Sequence, residues 1–103
     1  MNTFNDLQTL IIEWAKARQI IPNSTPQAQL FKTMEELGEL CSAVARGRKS
    51  LASDAFGDVM VTLIIAAKLM DLDLVESLAY AYDEIKDRKG RMTPDGIFVK
   101  DGS

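Results

Sequence analysis

The stretch AFGDVMVTLIIAA, Ala55 to Ala67, decides the fold: thirteen residues carry one charge, Asp58. It lacks the strict alternation of a half-buried strand. At about 100° per residue its apolar side chains point in every direction, as in a helix covered all round. A lone carboxylate in such a helix is costly unless something compensates it. The best candidate to sit opposite it is an acidic cluster about twenty residues earlier, Glu35, Glu36 and Glu39, in Met34-Glu-Glu-Leu-Gly-Glu-Leu40.

Working outward, the helix that contains this stretch is expected to start near Ser50 or Ser53 and to end near Met70. Asp54 lies four residues before Asp58 and shares its face. It also has a simpler explanation, as a first-turn acid favoured by the helix dipole. Gly57 costs about 1 kcal/mol of helix propensity relative to alanine, and Gly38, inside the glutamate cluster, costs the same. The two glycines predict a close approach of the two helices at these points.

The helix before it is expected from Pro26 to about Arg46. Ser24 or Thr25 would cap it, Pro26 fits its first turn, and Gly47 would stop it. In projection Phe31, Met34, Leu37, Leu40, Cys41 and Val44 gather on one side, the expected core face. Lys32, Glu35, Glu36 and Glu39 fall within an arc of about 100° on the other. By itself that arc reads as a solvated face. Arg46-Gly-Arg-Lys49 follows as a basic loop, solvent-exposed charge unless an acidic metal site beside it brings a polyphosphate.

Toward the N-terminus, Leu7, Leu10, Ile11, Trp14 and Ala15 keep a 3–4 spacing that predicts a helix over about 5–20, capped by Thr3 or Asn5. Trp14 reads as a core anchor, with stacking on a nucleobase as the alternative. Toward the C-terminus, Asp73 and Glu76 match a capping box before a helix from Leu74 to about Arg88, with Leu78, Ala81, Tyr82 and Ile85 facing inward. Lys86, Arg88, Lys89 and Arg91 form a second basic cluster, either dipole-favoured cations at a helix end or phosphate contacts. Asp95-Gly96 before Ile97-Phe-Val99 signals a small hairpin or extended tail.

Composition narrows the chemistry. The 103 residues, 47% hydrophobic and 26% charged, predict one globular domain, 1–103. A net charge of −3 argues against a nucleic-acid polymer as partner. With no histidine, His-based acid–base chemistry and His-ligated zinc are excluded, and one cysteine leaves neither an intrachain disulfide nor a Cys-cluster metal site. The N-terminus has no signal-peptide pattern. The apolar stretch, too short to span a membrane, has Asp54 and Asp58 at one end and Lys68 at the other. A soluble, cytoplasmic protein is expected. So small a chain has little material to cover every side of an apolar helix, which predicts a second subunit.

Two antiparallel helices joined by a short loop would bring Glu36-x-x-Glu39, with Glu35 adjoining, beside Asp58 and Asp54. Oxygen-only ligands suit Mg²⁺, or Mn²⁺, rather than zinc or copper. The pattern Lys32-x-x-Glu35-Glu36-x-Gly38-Glu39-Leu40, a basic loop, then Gly57-Asp58-Val59 opening an apolar run resembles the MazG-like all-α nucleotide pyrophosphohydrolases. Trp14-Ala-Lys-Ala-Arg18, Ser24-Thr-Pro-Gln-Ala-Gln29, Arg88-Lys-Gly-Arg-Met92 and Gly96-Ile-Phe-Val-Lys100 look like a small branch of that family. The resemblance covers nearly the whole chain.

It implies a four-helix bundle completed by oligomerisation, as a homodimer or homotetramer. It also implies Mg²⁺-dependent cleavage of a nucleoside triphosphate to the monophosphate and pyrophosphate. The family's metal-holding pattern is Glu-x-x-Glu on one helix and Glu-x-x-Asp on the next. Glu36, Glu39 and Asp58 match three positions; Ala55 occupies the fourth, and Asp54 is the nearest substitute. Glu35 or Glu39 is expected to position or deprotonate the attacking water. Lys32, Arg88, Lys89 and Arg91 are candidate phosphate contacts, and Trp14 a base contact. Two alternatives stand beside this: a non-catalytic helical dimerisation or interaction module with Asp54 and Asp58 as capping residues or in salt bridges to Lys32 or Arg46, and a related pyrophosphohydrolase acting on another nucleotide such as phosphoribosyl-ATP.

Overall fold

The computed structural model describes residues 2–102. Its elements run α1 (Phe4–Ala17), α2 (Ile20–Asn23), α3 (Pro26–Ala45), α4 (Lys49–Leu69), α5 (Leu74–Ile85), β1 (Gly90–Met92) and β2 (Phe98–Lys100). The expected all-α bundle with a C-terminal hairpin is present, with one short extra helix, α2.

Local chemistry sets most of the boundaries. Thr3 and Asp6 form a reciprocal capping box at the start of α1: the Asp6 amide donates to Thr3 Oγ1 (3.1 Å) and the Thr3 amide to Asp6 Oδ2 (3.0 Å). That helix ends at Ala17, earlier than expected, because Gln19 takes a left-handed conformation (φ 61°). Thr25 caps α3 by accepting from the Ala28 amide at 3.1 Å, with Pro26 in the first turn.

The turn between α3 and α4 is a Schellman motif. Gly47 sits at φ 66°, its amide donates to the Val44 carbonyl (3.0 Å), and the Arg48 amide donates to the Ala43 carbonyl (2.9 Å). This turn delivers the chain straight into α4 at Lys49. Ser50 and Ser53, expected as caps, therefore lie inside the helix, which has no side-chain cap. Its far end repeats the motif, with Asp71 at φ 56° and the Leu72 amide on the Ala67 carbonyl at 2.9 Å. Asp73 then caps α5 through the Glu76 amide at 2.9 Å. Helix α5 stops at Ile85, one turn short of expectation.

α3 and α4 form the principal packed pair, and α1 lies against α4. Leu40, Ala43, Ala52 and Ala55 make the buried cluster between α3 and α4. Farther along the seam the Thr33 and Thr62 hydroxyls meet at 2.7 Å. Buried Gln8 ties α5 to α1: its Oε1 accepts from the Leu74 amide at 3.0 Å and the Val75 amide at 3.3 Å, two of the donors that a helix start leaves free. In the hairpin, Gly90 pairs with Lys100, Arg91 with Val99 and Met92 with Phe98. Any Cβ at Gly90 would collide with the Val99 carbonyl oxygen. Among the described residues no helix packs on this hairpin.

Several expectations about the interior are corrected. The side of α3 turned to α4 carries Thr33, Glu36, Leu40 and Ala43, while Phe31, Met34, Leu37, Cys41 and Val44 are exposed. Trp14 is exposed rather than a core anchor, and Leu78, Ala81, Tyr82 and Ile85 of α5, expected to face inward, are exposed. α4 itself is open to solvent around Phe56, Gly57 and Asp58. Neither Gly38 nor Gly57 marks a close approach within the chain; both look onto open space, because both lie on faces turned away from the α3–α4 seam. At 21 residues α4 has the length and apolar composition of a membrane-crossing helix, longer than the thirteen-residue run implied. It is packed against α3 and α1 instead.

Among the described residues the eight buried hydrophobic ones include five alanines. The radius of gyration is 16.2 Å, where a compact chain of this length has about 13 Å. The single chain is therefore open.

Candidate active site

The seam between α3 and α4 sets the register of the acidic groups. From the Thr33–Thr62 contact, Glu36 lies three residues along α3 and Asp58 four residues back along α4. In an antiparallel pair those offsets bring the two carboxylates to the same level. Glu39 follows one turn after Glu36, beside the Leu40–Ala43–Ala52–Ala55 cluster. Helix geometry and one hydroxyl contact thus place three carboxylates together on rigid elements.

Glu36 carries the physical signature of this crowding. Its Oε2 is buried and has no hydrogen-bond partner. Its pKa is raised above the usual 4.5, first by loss of water around the carboxylate, then by the charges of Glu39 and Asp58; Lys32 pulls it partly back. A carboxylate oxygen that has lost water and found no donor is a free ligand position, and the oxygen-only set around it suits a hard divalent cation. As they stand, no three of the described acidic or thiol side chains are grouped closely enough to hold a metal ion.

A cleft of about 400 Å³ opens beside these groups, lined by Glu39, Asp54, Asp58, Ser42, Arg46 and Arg48 among others. Asp54 therefore shares one cavity with Glu39 and Asp58. Ala55 also reaches this cleft, but it is buried in the α3–α4 cluster. Neither Asp54 nor Asp58 forms an ion pair among the described residues, contrary to the salt-bridged alternative.

The other predicted site residues fall into two groups. Lys32 lies near enough to act on Glu36 and pairs with Glu35 at 3.7 Å, both side chains well exposed. Glu35 does not line the cleft. Trp14 lines a groove of about 460 Å³ with Leu7, Leu10, Ile11, Asp58 and Val61. The Arg18 guanidinium covers one face of the indole, 4.5 Å from the ring centre. Arg88, Lys89 and Arg91, by contrast, stand on the hairpin and its approach, away from the cleft. Arg46 and Arg48 occupy the place expected of them. The sequence signal for that pair was the basic loop, which only the fold connects to the carboxylates.

A family model described as phosphoribosyl-ATP pyrophosphohydrolase matches residues 4–89, all five helices and none of the hairpin strands. The chain belongs to this family. The expected enzyme class, nucleotide pyrophosphohydrolase, agrees with the description of this family. A solved structure of a cyanophage S-2L MazG-like pyrophosphohydrolase, bound to dGDP and three catalytic Mn²⁺ ions per active site, has the same fold. Its TM-score is 0.74 and its identity 20%, over 99% of this chain and 96% of that one. An uncharacterized 18.2 kDa protein from the rep-hol intergenic region of Haemophilus phage HP1 (strain HP1c1) is 45% identical over 73 residues, 68% of this chain. The match spans 45% of the length of that relative.

Proposed function

We propose that the protein is a divalent-metal-dependent pyrophosphohydrolase that cleaves a nucleoside or deoxynucleoside triphosphate to the monophosphate and pyrophosphate. The partnerless, buried Glu36 oxygen, beside Glu39 and Asp58, carries this reading. A polyphosphate cannot approach a wall of carboxylates unless a cation lies between them. Glu36, Glu39 and Asp58 would hold that cation, with Asp54 taking the place of the family glutamate absent at Ala55. Mg²⁺ is the expected ion. Mn²⁺ is supported by the cyanophage protein, whose site binds Mn²⁺ and dGDP. A cation bound there supplies phosphate charge neutralisation and a more acidic water.

The chain's own groups divide the remaining work. Glu39 or Glu35 accepts the proton of the attacking water and holds it in line with the α-phosphorus. The lining position of Glu39 favours it. Lys32, Arg46 and Arg48 meet the phosphates. Trp14, exposed beside the groove, stacks on the base. Arg88, Lys89 and Arg91 reach substrate only if another subunit carries them over the cleft. The protein works as a homodimer or homotetramer in the cytoplasm.

The family description favours a second substrate, phosphoribosyl-ATP, whose cleavage releases pyrophosphate by the same chemistry. A pyrophosphate-release screen over ribo- and deoxynucleoside triphosphates and phosphoribosyl-ATP, with Mg²⁺, with Mn²⁺ and with chelator, separates the two. Release from neither class under any metal condition would refute both.

A further inference from the structure

We propose that Thr33 and Thr62 are positioning residues for the site: their hydroxyl bond across the helix seam holds Glu36 and Asp58 level against the mutual repulsion of the carboxylates, and so sets the affinity for the cation. The affinity readout rests on the metal-site reading; the clasp itself stands on contacts within the chain.

The first observation is that the contact has no substitute. Among the described residues it is the only side-chain hydrogen bond that crosses from α3 to α4. Toward the Gly47 turn the seam is made by Leu40, Ala43, Ala52 and Ala55. Apolar packing of that kind is non-directional. A hydroxyl bond of 2.7 Å is lost by a separation of about 3.6 Å, so it fixes the spacing of the two helices to within about 1 Å.

The second observation is its place. Thr33 stands one turn before Glu36 on α3, and Thr62 one turn after Asp58 on α4. On the other side of the acids the helices are already tied by the turn at Gly47. The carboxylates therefore lie between a covalent turn and the clasp. They oppose the closed seam, since the charges of Glu39 and Asp58 both act on Glu36. A hydroxyl pair resists that repulsion while adding no charge of its own, which leaves the acids free for a cation.

The third observation is the proton count. Thr33 Oγ1 also lies 2.9 Å from the Gln29 carbonyl oxygen, and Thr62 Oγ1 2.9 Å from that of Val59. Two hydroxyl protons serve three contacts. One hydroxyl donates across the seam and the other to the carbonyl of its own helix, and either direction satisfies both. Valine at either position has the shape of threonine and leaves the remaining hydroxyl its own carbonyl as acceptor. Such a variant removes the cross-helix bond without orphaning a buried donor.

Hydrogen exchange on the metal-free protein at neutral pH, together with calorimetric titration by Mn²⁺, tests the proposal. Thr33→Val, or Thr62→Val if that variant misfolds, is expected to speed exchange at least tenfold at the amides around Glu36 and Asp58. In a Glu36→Gln background, with one of the repelling charges gone, the same substitution is expected to speed it less than threefold. Affinity for Mn²⁺ is expected to fall at least tenfold in Thr33→Val and to stay within twofold of native in Thr33→Ser, which keeps the hydroxyl. Equal acceleration in both backgrounds makes the contact an ordinary structural one and overturns the proposal. So does native Mn²⁺ affinity in Thr33→Val. A native protein that binds no Mn²⁺, with the exchange still dependent on Glu36, removes the metal-site reading and the affinity role with it, and leaves the clasp against repulsion standing.

Discussion

Glu36 on α3 and Asp58 on α4 lie level across the helix seam, one turn from the Thr33–Thr62 hydroxyl contact, and the charge of Asp58 helps to raise the pKa of Glu36. Lys32 offsets this arrangement only in part, and among the described residues the buried oxygen of Glu36 has no donor. Two acids held together by fixed helices make the apo protein less stable than it could be. A bound cation would reverse the sign of the interaction.

Stability should therefore depend on pH at this residue. A carboxyl group whose folded pKa is raised binds its proton more tightly in the folded state. Its contribution is fully present below the unfolded value, near 4.5, and is lost as pH rises through the raised folded value. Glu36→Gln is expected to remove that loss, so that the metal-free melting temperature falls less between pH 4.5 and 7 than in the native protein. Thermal melts at a series of pH values measure it. Parallel curves for the two proteins would show that Glu36 is not the source.

Metal should act through the same residues. Millimolar Mn²⁺ or Mg²⁺ is expected to raise the native melting temperature, by linkage to the folded state, and to leave Glu36→Gln and Asp58→Asn unmoved. Asp58→Asn should also abolish pyrophosphate release while keeping the fold, as judged by circular dichroism. Native turnover in that variant would remove Asp58 from the site.

Asp54 has a separate test. If it stands in for the acid absent at Ala55, Asp54→Ala should weaken metal affinity and lower kcat by at least tenfold. Unchanged affinity and turnover would make it a helix-start acid only.

Trp14→Ala should raise KM severalfold with little change in kcat, since the indole would bind the base without touching the reacting phosphorus. A fall in kcat at constant KM would place Trp14 elsewhere in the mechanism.

Gln8 is a structural test. It is 5% exposed and serves the Leu74 and Val75 amides. Gln8→Leu leaves those donors without their partner and is expected to cost about 1–3 kcal/mol. Hydrogen exchange should accelerate first in α5, which among the described residues packs otherwise only against α4. Uniform destabilisation without early exchange in α5 would contradict this.

The sequence was most informative where backbone chemistry is local. Thr25-Pro26, Gly47, Asp73 and Asp95-Gly96 each marked a boundary found in the structure, because caps and turns depend on a few adjacent residues. Ser50 and Ser53 misled because the left-handed turn at Gly47 starts α4 without a side-chain cap. The orientation of α3 was read by apolarity alone, which put Phe31, Met34 and Leu37 inward with Leu40. Helix α3 instead turns Thr33 and Glu36 to its neighbour. Hydrophobic periodicity records all the burial a helix will undergo, and within one chain it does not separate the core from surface left for another subunit. The pairing of Glu36 and Glu39 with Asp58 was legible from spacing and a short connection. The place of Arg46 and Arg48 beside them was not, since only the packed helix pair shows which way the loop faces.

The most direct test of the central claim is pyrophosphate release from a panel of nucleoside triphosphates and phosphoribosyl-ATP, run on the native protein and on Glu36→Gln with and without Mn²⁺ or Mg²⁺. Metal-dependent release is expected from the native protein, falling at least a hundredfold in Glu36→Gln. Release that persists in chelator, or that Glu36→Gln retains in full, would contradict it.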